Sequence, residues 1–264
     1  MNYTLRSYYL DKPLVVGRAF DVMIPKEITK DVAIFMVHGG GWRSGSRTSY
    51  HTIMEAFSDL GYVVASTDYR LDAKNAFEQL QDVRESYDSF VTILKELKRP
   101  LNISVHGGSA GAHLASLLVC ANPGECGEEI KLKNEWVKPQ KATLQATPVD
   151  FLPYESMMPH FWATMQGIAG VPYDENPDVY QKLSLKNYIR KDNPPIFFLE
   201  AEREHIFMPE HTLKLVKKQN ALSVESKWKL YKGVEHGFLF DLKREAQKEA
   251  FRDIISFLDG ALNI

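Results

Sequence analysis

Only two cysteines, Cys120 and Cys126, occur in the 264 residues. That is too few for a disulfide framework at this length, and neither stands in a metal-ligand spacing. Free thiols in a reducing compartment are expected, with a single local disulfide as the alternative. No charge of one sign dominates either. Lys and Arg number 32 against 34 Asp and Glu, a net charge of -2, so there is no basic footprint for nucleic acid or an anionic membrane. No apolar run approaches the ~20 residues that a membrane span requires. The N-terminal MNYTLRSYYLDKP lacks the continuous apolar core of a signal peptide, so a cytoplasmic location is expected, with secretion after processing compatible with it. Internal repeats and low-complexity linkers are missing too. What is left, 44% hydrophobic and 25% charged residues, suits one large domain over residues 1–264.

Tyr3–Leu10 and Val15–Ile24 alternate and flank the turn signal Asp11-Lys12-Pro13, which predicts an antiparallel hairpin. Val32–Val37 (VAIFMV) and Tyr62–Ser66 (YVVAS) are near-continuous apolar runs, the pattern of strands buried on both faces. Between them Thr48–Leu60 has helical spacing and Gly61 stops it. Phe77–Leu97 is amphipathic at helical period, closed by Pro100. Ile103–His106 is a short strand running into GGSAG and the apolar helix Ala112–Ala121. Ala142–Ala146, Ile196–Leu199 and Lys227–Tyr231 read as further strands, Pro209–Gln219 and Leu242–Leu258 as helices. Strands alternating with helices predict right-handed βαβ units, hence an α/β fold with a mostly parallel sheet. Asn122–Asp192, rich in Pro, Met and aromatics, reads as a small cap-like excursion over one end of that sheet.

His106-Gly107-Gly108-Ser109-Ala110-Gly111 contains G-x-S-x-G between a strand and a helix. Small flanking residues let the backbone fold sharply enough to lift the serine oxygen clear of the sheet, at a helix N-terminus that favours developing negative charge. Ser109 is the candidate nucleophile; the alternative is a mere turn. A serine hydroxyl needs a base within hydrogen-bond reach, itself oriented by a third group. His236, in the glycine-flanked loop YKGVEHGF, is the candidate base. His113 should point away from the serine, His51 and His211 sit in helices, and His38 suits bracing a loop. The orienting acid should follow Ile196–Leu199, where AEREHIFMP offers Glu204, the preferred candidate, and Glu202, its competitor. The order Ser109, Glu204, His236 is that of the α/β-hydrolase fold.

FMVHGGGWRSGS, Phe35–Ser46, places three glycines where a strand has just ended, at the residue type that is costliest to order. A tight turn would explain one or two of them. An oxyanion formed by attack of Ser109 needs donors about 3 Å away on backbone that no side chain covers. Gly40, Gly41 and Ala110 are the candidate oxyanion hole.

HGGGW (His38–Trp42), GGSAGAHLA (Gly107–Ala115), PPIFFLEAEREHIFMP (Pro194–Pro209) and YKGVEHGF (Tyr231–Phe238) together resemble the α/β-hydrolase superfamily. The resemblance is to hormone-sensitive-lipase-type esterases and small bacterial carbohydrate esterases, and ATPVDF (Ala146–Phe151) and VYQKLSLKNYI (Val179–Ile189) add to it. It implies the α/β-hydrolase fold, with helices on both faces of a twisted sheet, and the same roles for Ser109, His236, Gly40, Gly41 and Ala110. Relatives usually carry HGxxD after the acid strand. Glutamate here must be set further back to hold the same imidazole.

The expected activity is a serine carboxylesterase of short-chain acyl esters, with no metal or organic cofactor. The excursion is modest and broken by prolines, unlike a lipase lid. Trp42, Met158, Phe161 and Trp162, with Met157, are candidate walls of the substrate pocket; the alternative is that they simply cover the sheet. The resemblance, with an aromatic rim suited to sugar rings, points to acetyl or feruloyl esters on plant polysaccharides, as in an acetyl xylan esterase. An aryl formamidase-like amidase and a non-catalytic hydrolase-fold binding protein are the alternatives. The expected partner is a small-molecule or oligosaccharide ester, with neither nucleic acid nor membrane, and a homodimer is compatible with the sequence.

Overall fold

The computed structural model of the protein describes residues 2–12, 14–15, 17–154 and 157–264. Strands β1 (Tyr3–Tyr9) and β2 (Ala19–Pro25) pair antiparallel, Tyr3 opposite Pro25 and Tyr9 opposite Ala19. This is the predicted hairpin, though β2 begins later than Val15; Pro13 of the turn signal and Val16 lie outside the described residues. β2 also pairs antiparallel with the short β4 (Val64–Thr67). β4 then lies parallel to β3 (Val32–Val37), and the parallel sheet continues through β5 (Asn102–Gly108), β6 (Lys141–Gln145), β7 (Ile196–Arg203) and β8 (Lys227–Glu235). The resulting order is β1-β2-β4-β3-β5-β6-β7-β8.

Two cores lie on the two faces. Ala33, Phe35 and Val37 of β3 join one together with α2 (Ala76–Glu96), α3 (Ala110–Cys120) and α6 (Pro209–Ala221). Ile34 and Met36 join the other with α1 (His51–Asp59) and α7 (Glu245–Leu258). Period-two alternation along β3 therefore serves both layers at once, which is why its sequence reads as unbroken apolar residues. The predicted excursion supplies α4 (Pro159–Ala169) and α5 (Pro177–Leu183), whose Met165, Ile168, Tyr180 and Leu183 join the α2 side.

Two departures from the predicted elements matter for the site. The expected helix Thr48–Leu60 is a 3-10 turn, Arg47–Tyr50, followed by α1. Strands β7 and β8 each run four residues past their apolar stretches. They are held there by pairing with each other, Ala201 opposite Tyr231 and Arg203 opposite Glu235. Charged letters mask a strand whose pairing continues across a shift of register between Ala201 and Arg203. Since Arg203 and Glu235 are partners, the next residues, Glu204 and His236, leave the sheet side by side. Both cysteines are free and buried. Among the described residues no helix is long and apolar enough to cross a membrane.

The turn into α3 presses directly on β3. A Cβ at Gly111 would stand against the carbonyl oxygens of Val37 and His38, closer than side-chain carbons approach backbone. Gly111→Ala is accordingly expected to cost about 3 kcal/mol, read as a lowered midpoint in urea or thermal denaturation. An unchanged midpoint would contradict this packing.

Candidate active site

β5 ends at Gly108 and α3 begins at Ala110, so Ser109 alone makes the turn, at φ 54 and ψ -123. A side chain held at positive φ costs on the order of 1–3 kcal/mol and persists only where its surroundings fix it. Here the Ser109 N–H donates to the Gln145 carbonyl at 2.8 Å, and its own carbonyl receives the His113 N–H at 3.0 Å. Gly107 has no room for a Cβ, which would lie 2.6 Å from the Gly111 carbonyl oxygen.

The Ser109 hydroxyl donates to Nε2 of His236 at 2.8 Å. Nδ1 of His236 lies 2.9 and 2.8 Å from the two Glu204 oxygens. A carboxylate can only accept, so Nδ1 carries the proton and Nε2 is left to accept from the serine. The Glu204 side chain is 0% exposed, and its Oε1 also receives the N–H groups of His205, Ile206 and Phe207 at 3.0, 2.8 and 3.3 Å. Burial pushes its pKa up. The bond and charge of His236, with the N–H groups of Ile206 and Phe207, outweigh that and hold it below the ordinary carboxylate value. Glu202 turns away and accepts the Gly233 N–H at 2.8 Å. Of the two acids open in the sequence, Glu204 is the one that meets His236.

The three glycines serve three ends. A Cβ on Gly39 would lie 2.7 Å from the Gly108 carbonyl oxygen, so this residue lets two loops touch backbone to backbone. Gly40, at φ +123, makes a turn in which a Cβ would collide with Ser44. Gly41 has nothing within 4 Å of where its Cβ would be. Packing thus requires Gly39 and the turn requires Gly40, while open space adjoins Gly41; the last two are the glycines of the candidate oxyanion hole. Among the described residues no acceptor engages the Gly40 or Gly41 N–H. The Ala110 N–H, in the first turn of α3, has no partner within the helix.

Three other histidines are held by contacts within the fold. His113 is buried, donates through Nε2 to the Leu183 carbonyl at 2.7 Å and accepts the Trp42 indole N–H at 3.2 Å. Burial pushes its pKa down to about 4. His38 stacks on Tyr69 at 4.3 Å and its Nδ1 donates to the Gly39 carbonyl at 2.7 Å. His51 is bonded to Asp21 at 2.9 Å.

Ser109, His236, Gly40 and Gly41 open on a cavity of about 400 Å³. Of the predicted walls, Phe161 and Trp42 line it. The Trp42 ring is buried edge-on to His113 and Phe151, both at 5.5 Å, where its N–H is satisfied. Met157, Met158 and Trp162 do not line the cavity. One residue of helix turns the side chain by 100°, so α4 aims Phe161 at the cavity and Trp162 at Tyr173 and Tyr180, 5.7 and 5.5 Å away. Ser44 and Ser49 line it as well, and so do Ile206, Phe207 and Phe240, which follow closely on Glu204 and His236 and could have been named from that adjacency. Tyr50 and Gln145 also reach the cavity, and no motif marks either. Among the described residues, no group of three His, Cys, Asp or Glu is placed to hold a metal ion.

A family model described as BD-FAE matches residues 20–219. The chain belongs to the BD-FAE family. A second model, the dienelactone hydrolase family, matches residues 179–262. The BD-FAE chain has the α/β-hydrolase fold, superposing on the crystal structure of esterase B from Lactobacillus Rhamnosis with a TM-score of 0.81 at 17% identity, over 98% of this chain and 86% of that one. It is similar to the probable carboxylic ester hydrolase LipM of Mycobacterium tuberculosis, 25% identical over 182 residues, covering 66% of this chain and 41% of that protein. It is also similar to arylacetamide deacetylase of Mus musculus, 35% identical over 133 residues, covering 45% and 33%. The chain thus spans less than half the length of these two relatives.

Two carboxyls on the same strand and its exit titrate in opposite directions. Glu200, wholly buried with its Oε1 accepting from the Thr212 hydroxyl at 2.8 Å, has its pKa driven well above 4.5 by burial. A raised folded-state pKa gives stability that is present in acid and lost as pH rises through it. Glu200→Gln keeps the shape, and is expected to unfold at a higher temperature than wild type at pH 8 and at the same temperature at pH 4. Equal melting at both would refute the assignment.

Proposed function

We propose that this protein is a serine carboxylesterase working by two-step acyl transfer. Ser109 Oγ attacks the ester carbonyl while its proton passes to Nε2 of His236. The oxyanion is received by the N–H groups of Gly40, Gly41 and Ala110, each such donor being worth roughly 3–4 kcal/mol in the transition state. His236 returns the proton to the departing alcohol, then draws one from the water that releases the acid. Glu204 fixes the imidazole by its Nδ1 proton and offsets the imidazolium charge. The observation that carries this reading is the continuous line of 2.8 to 2.9 Å contacts from serine to histidine to a buried carboxylate at a cavity wall.

The cavity suits short acyl groups, and Phe161 and Phe240 give it an aromatic edge. Acetyl or feruloyl esters of plant polysaccharides, acetylated xylan among them, fit this reading. A second reading, cleavage of an aryl amide or formamide by the same residues, draws on the likeness to proteins named arylacetamide deacetylase. A non-catalytic binding protein would tolerate a gap in the serine–histidine–carboxylate line, and the line has none.

Hydrolysis of p-nitrophenyl acetate, butyrate and octanoate should fall with chain length. Ser109→Ala should lower kcat by at least ~10³-fold, and Glu204→Gln by on the order of 10²–10⁴, while Glu202→Gln changes little. A folded protein that cleaves none of these esters would overturn the esterase reading and move the search to formamides.

A further inference from the structure

The sheet face beneath the nucleophile carries a column of uncharged polar groups that the proposed chemistry does not use. On β5 and β6, His106 is paired with Thr143 and Gly108 with Gln145. Alternation sends Ala142 and Leu144 to the α2 core and turns Thr143 and Gln145 to the other side. There His106 Nδ1 is hydrogen-bonded to the Thr143 hydroxyl at 2.9 Å, and the Tyr50 ring stands edge-on to His106 at 5.3 Å. The top of the column opens on the cavity beside Ser109. The Tyr50 hydroxyl and Gln145 Oε1 converge above Gly108, 2.8 and 3.6 Å from the point where a Cβ would lie. Gln145 is 1% exposed, and its amide nitrogen is buried without a hydrogen-bond partner.

Tyr50 and Gln145 each donate and accept, the complement of a hydroxyl group. The column has no charge to offer: burial holds the Tyr50 phenol protonated and pushes the His106 pKa down to about 4. Among the described residues lining the cavity there is no Lys, Arg, Asp or Glu, so a carboxylate or phosphate on the substrate would be desolvated without a partner. Resting on the esterase reading above, we propose that Tyr50 and Gln145 form a specificity corner for an uncharged hydroxyl vicinal to the scissile ester. The preferred substrates are then neutral esters of hydroxylated compounds: a polyol or sugar if the hydroxyl belongs to the alcohol half, a 2-hydroxy acid if it belongs to the acyl half.

Two near-isosteric pairs separate the halves. Ethylene glycol monoacetate is compared with propyl acetate, and methyl lactate with methyl isobutyrate, by kcat/KM for wild type, Tyr50→Phe and Gln145→Leu. Wild type should prefer the hydroxylated member of one pair by about tenfold, and that pair locates the hydroxyl. Each substitution should bring the ratio towards one. The ratio is taken within each enzyme, so a lower yield of folded protein does not alter it, and Tyr50→Phe removes a single oxygen. Equal use of both members of both pairs by wild type, or a preference that survives both substitutions, overturns the corner alone. No hydrolysis of any of the four esters overturns the esterase reading and the corner with it.

Discussion

Bare backbone contact between two loops is the constraint on which the site depends. Gly111 presses against the Val37 and His38 carbonyls and Gly39 against the Gly108 carbonyl, so the loop leaving β3 and the turn leaving β5 form one rigid body. Parallel neighbours in a sheet end at the same level, and that common level brings the Gly40 and Gly41 N–H groups to the same cavity as Ser109. A methyl group at either contact would push the donors and the serine apart. Displacements of about an ångström at such a place cost on the order of 10²-fold in rate. The strain of Ser109 at positive φ is stored against this packing.

The other half of the site hangs on a second pair of parallel strands. Pairing of Arg203 with Glu235 delivers Glu204 and His236 from adjacent strand ends, and His236 together with the N–H groups of Ile206 and Phe207 keeps Glu204 ionised in spite of its burial. Glu200, four residues earlier, meets only the Thr212 hydroxyl and is driven towards its neutral form. The contrast shows how partners decide the charge of a buried carboxyl in this protein: burial pushes both pKa values up, and only Glu204 meets enough donors and charge to reverse it.

Most of the architecture was legible because its signals are local. The strand–GGSAG–helix sequence, the glycine run after VAIFMV and the glycine-flanked His236 each carry their geometry within a dozen residues. The order of elements fixed the parallel sheet, and Ser109, His236 and Glu204 meet although their strands are far apart in sequence. What stayed hidden depends on pairing or on distant packing. The last four residues of β7 and of β8 are charged or small and become strand only by pairing with each other. Trp42 was legible as a wall, but nothing local showed that its N–H finds His113 in the core, 71 residues away. Phe161 and Trp162 are consecutive letters that the helix turns to different neighbours. Tyr50 and Gln145 reach the cavity through β5–β6 register and the end of a 3-10 turn, neither of which leaves a pattern in composition.

That 3-10 turn shows how remote parts of the chain bear on the cavity. Arg47 opens it and Tyr50 ends it. The Arg47 N–H donates to Asp68 at 2.6 Å, its guanidinium bonds the same carboxylate, and its Nε lies 2.9 Å from Asp21. Asp21 belongs to the antiparallel β2, is almost wholly buried, and also receives the Ser7 hydroxyl and His51. Burial alone would raise its pKa, and these donors instead bring it below the ordinary carboxylate value. An ion network of this kind contributes modestly to overall stability, since the desolvation of each charge offsets much of the attraction. Its geometric effect is larger. It fixes the turn to the ends of β2 and β4, and so fixes where the Tyr50 ring enters the cavity. The N-terminal hairpin, which touches no reacting atom, thereby helps to set the shape of the cavity beside Ser109.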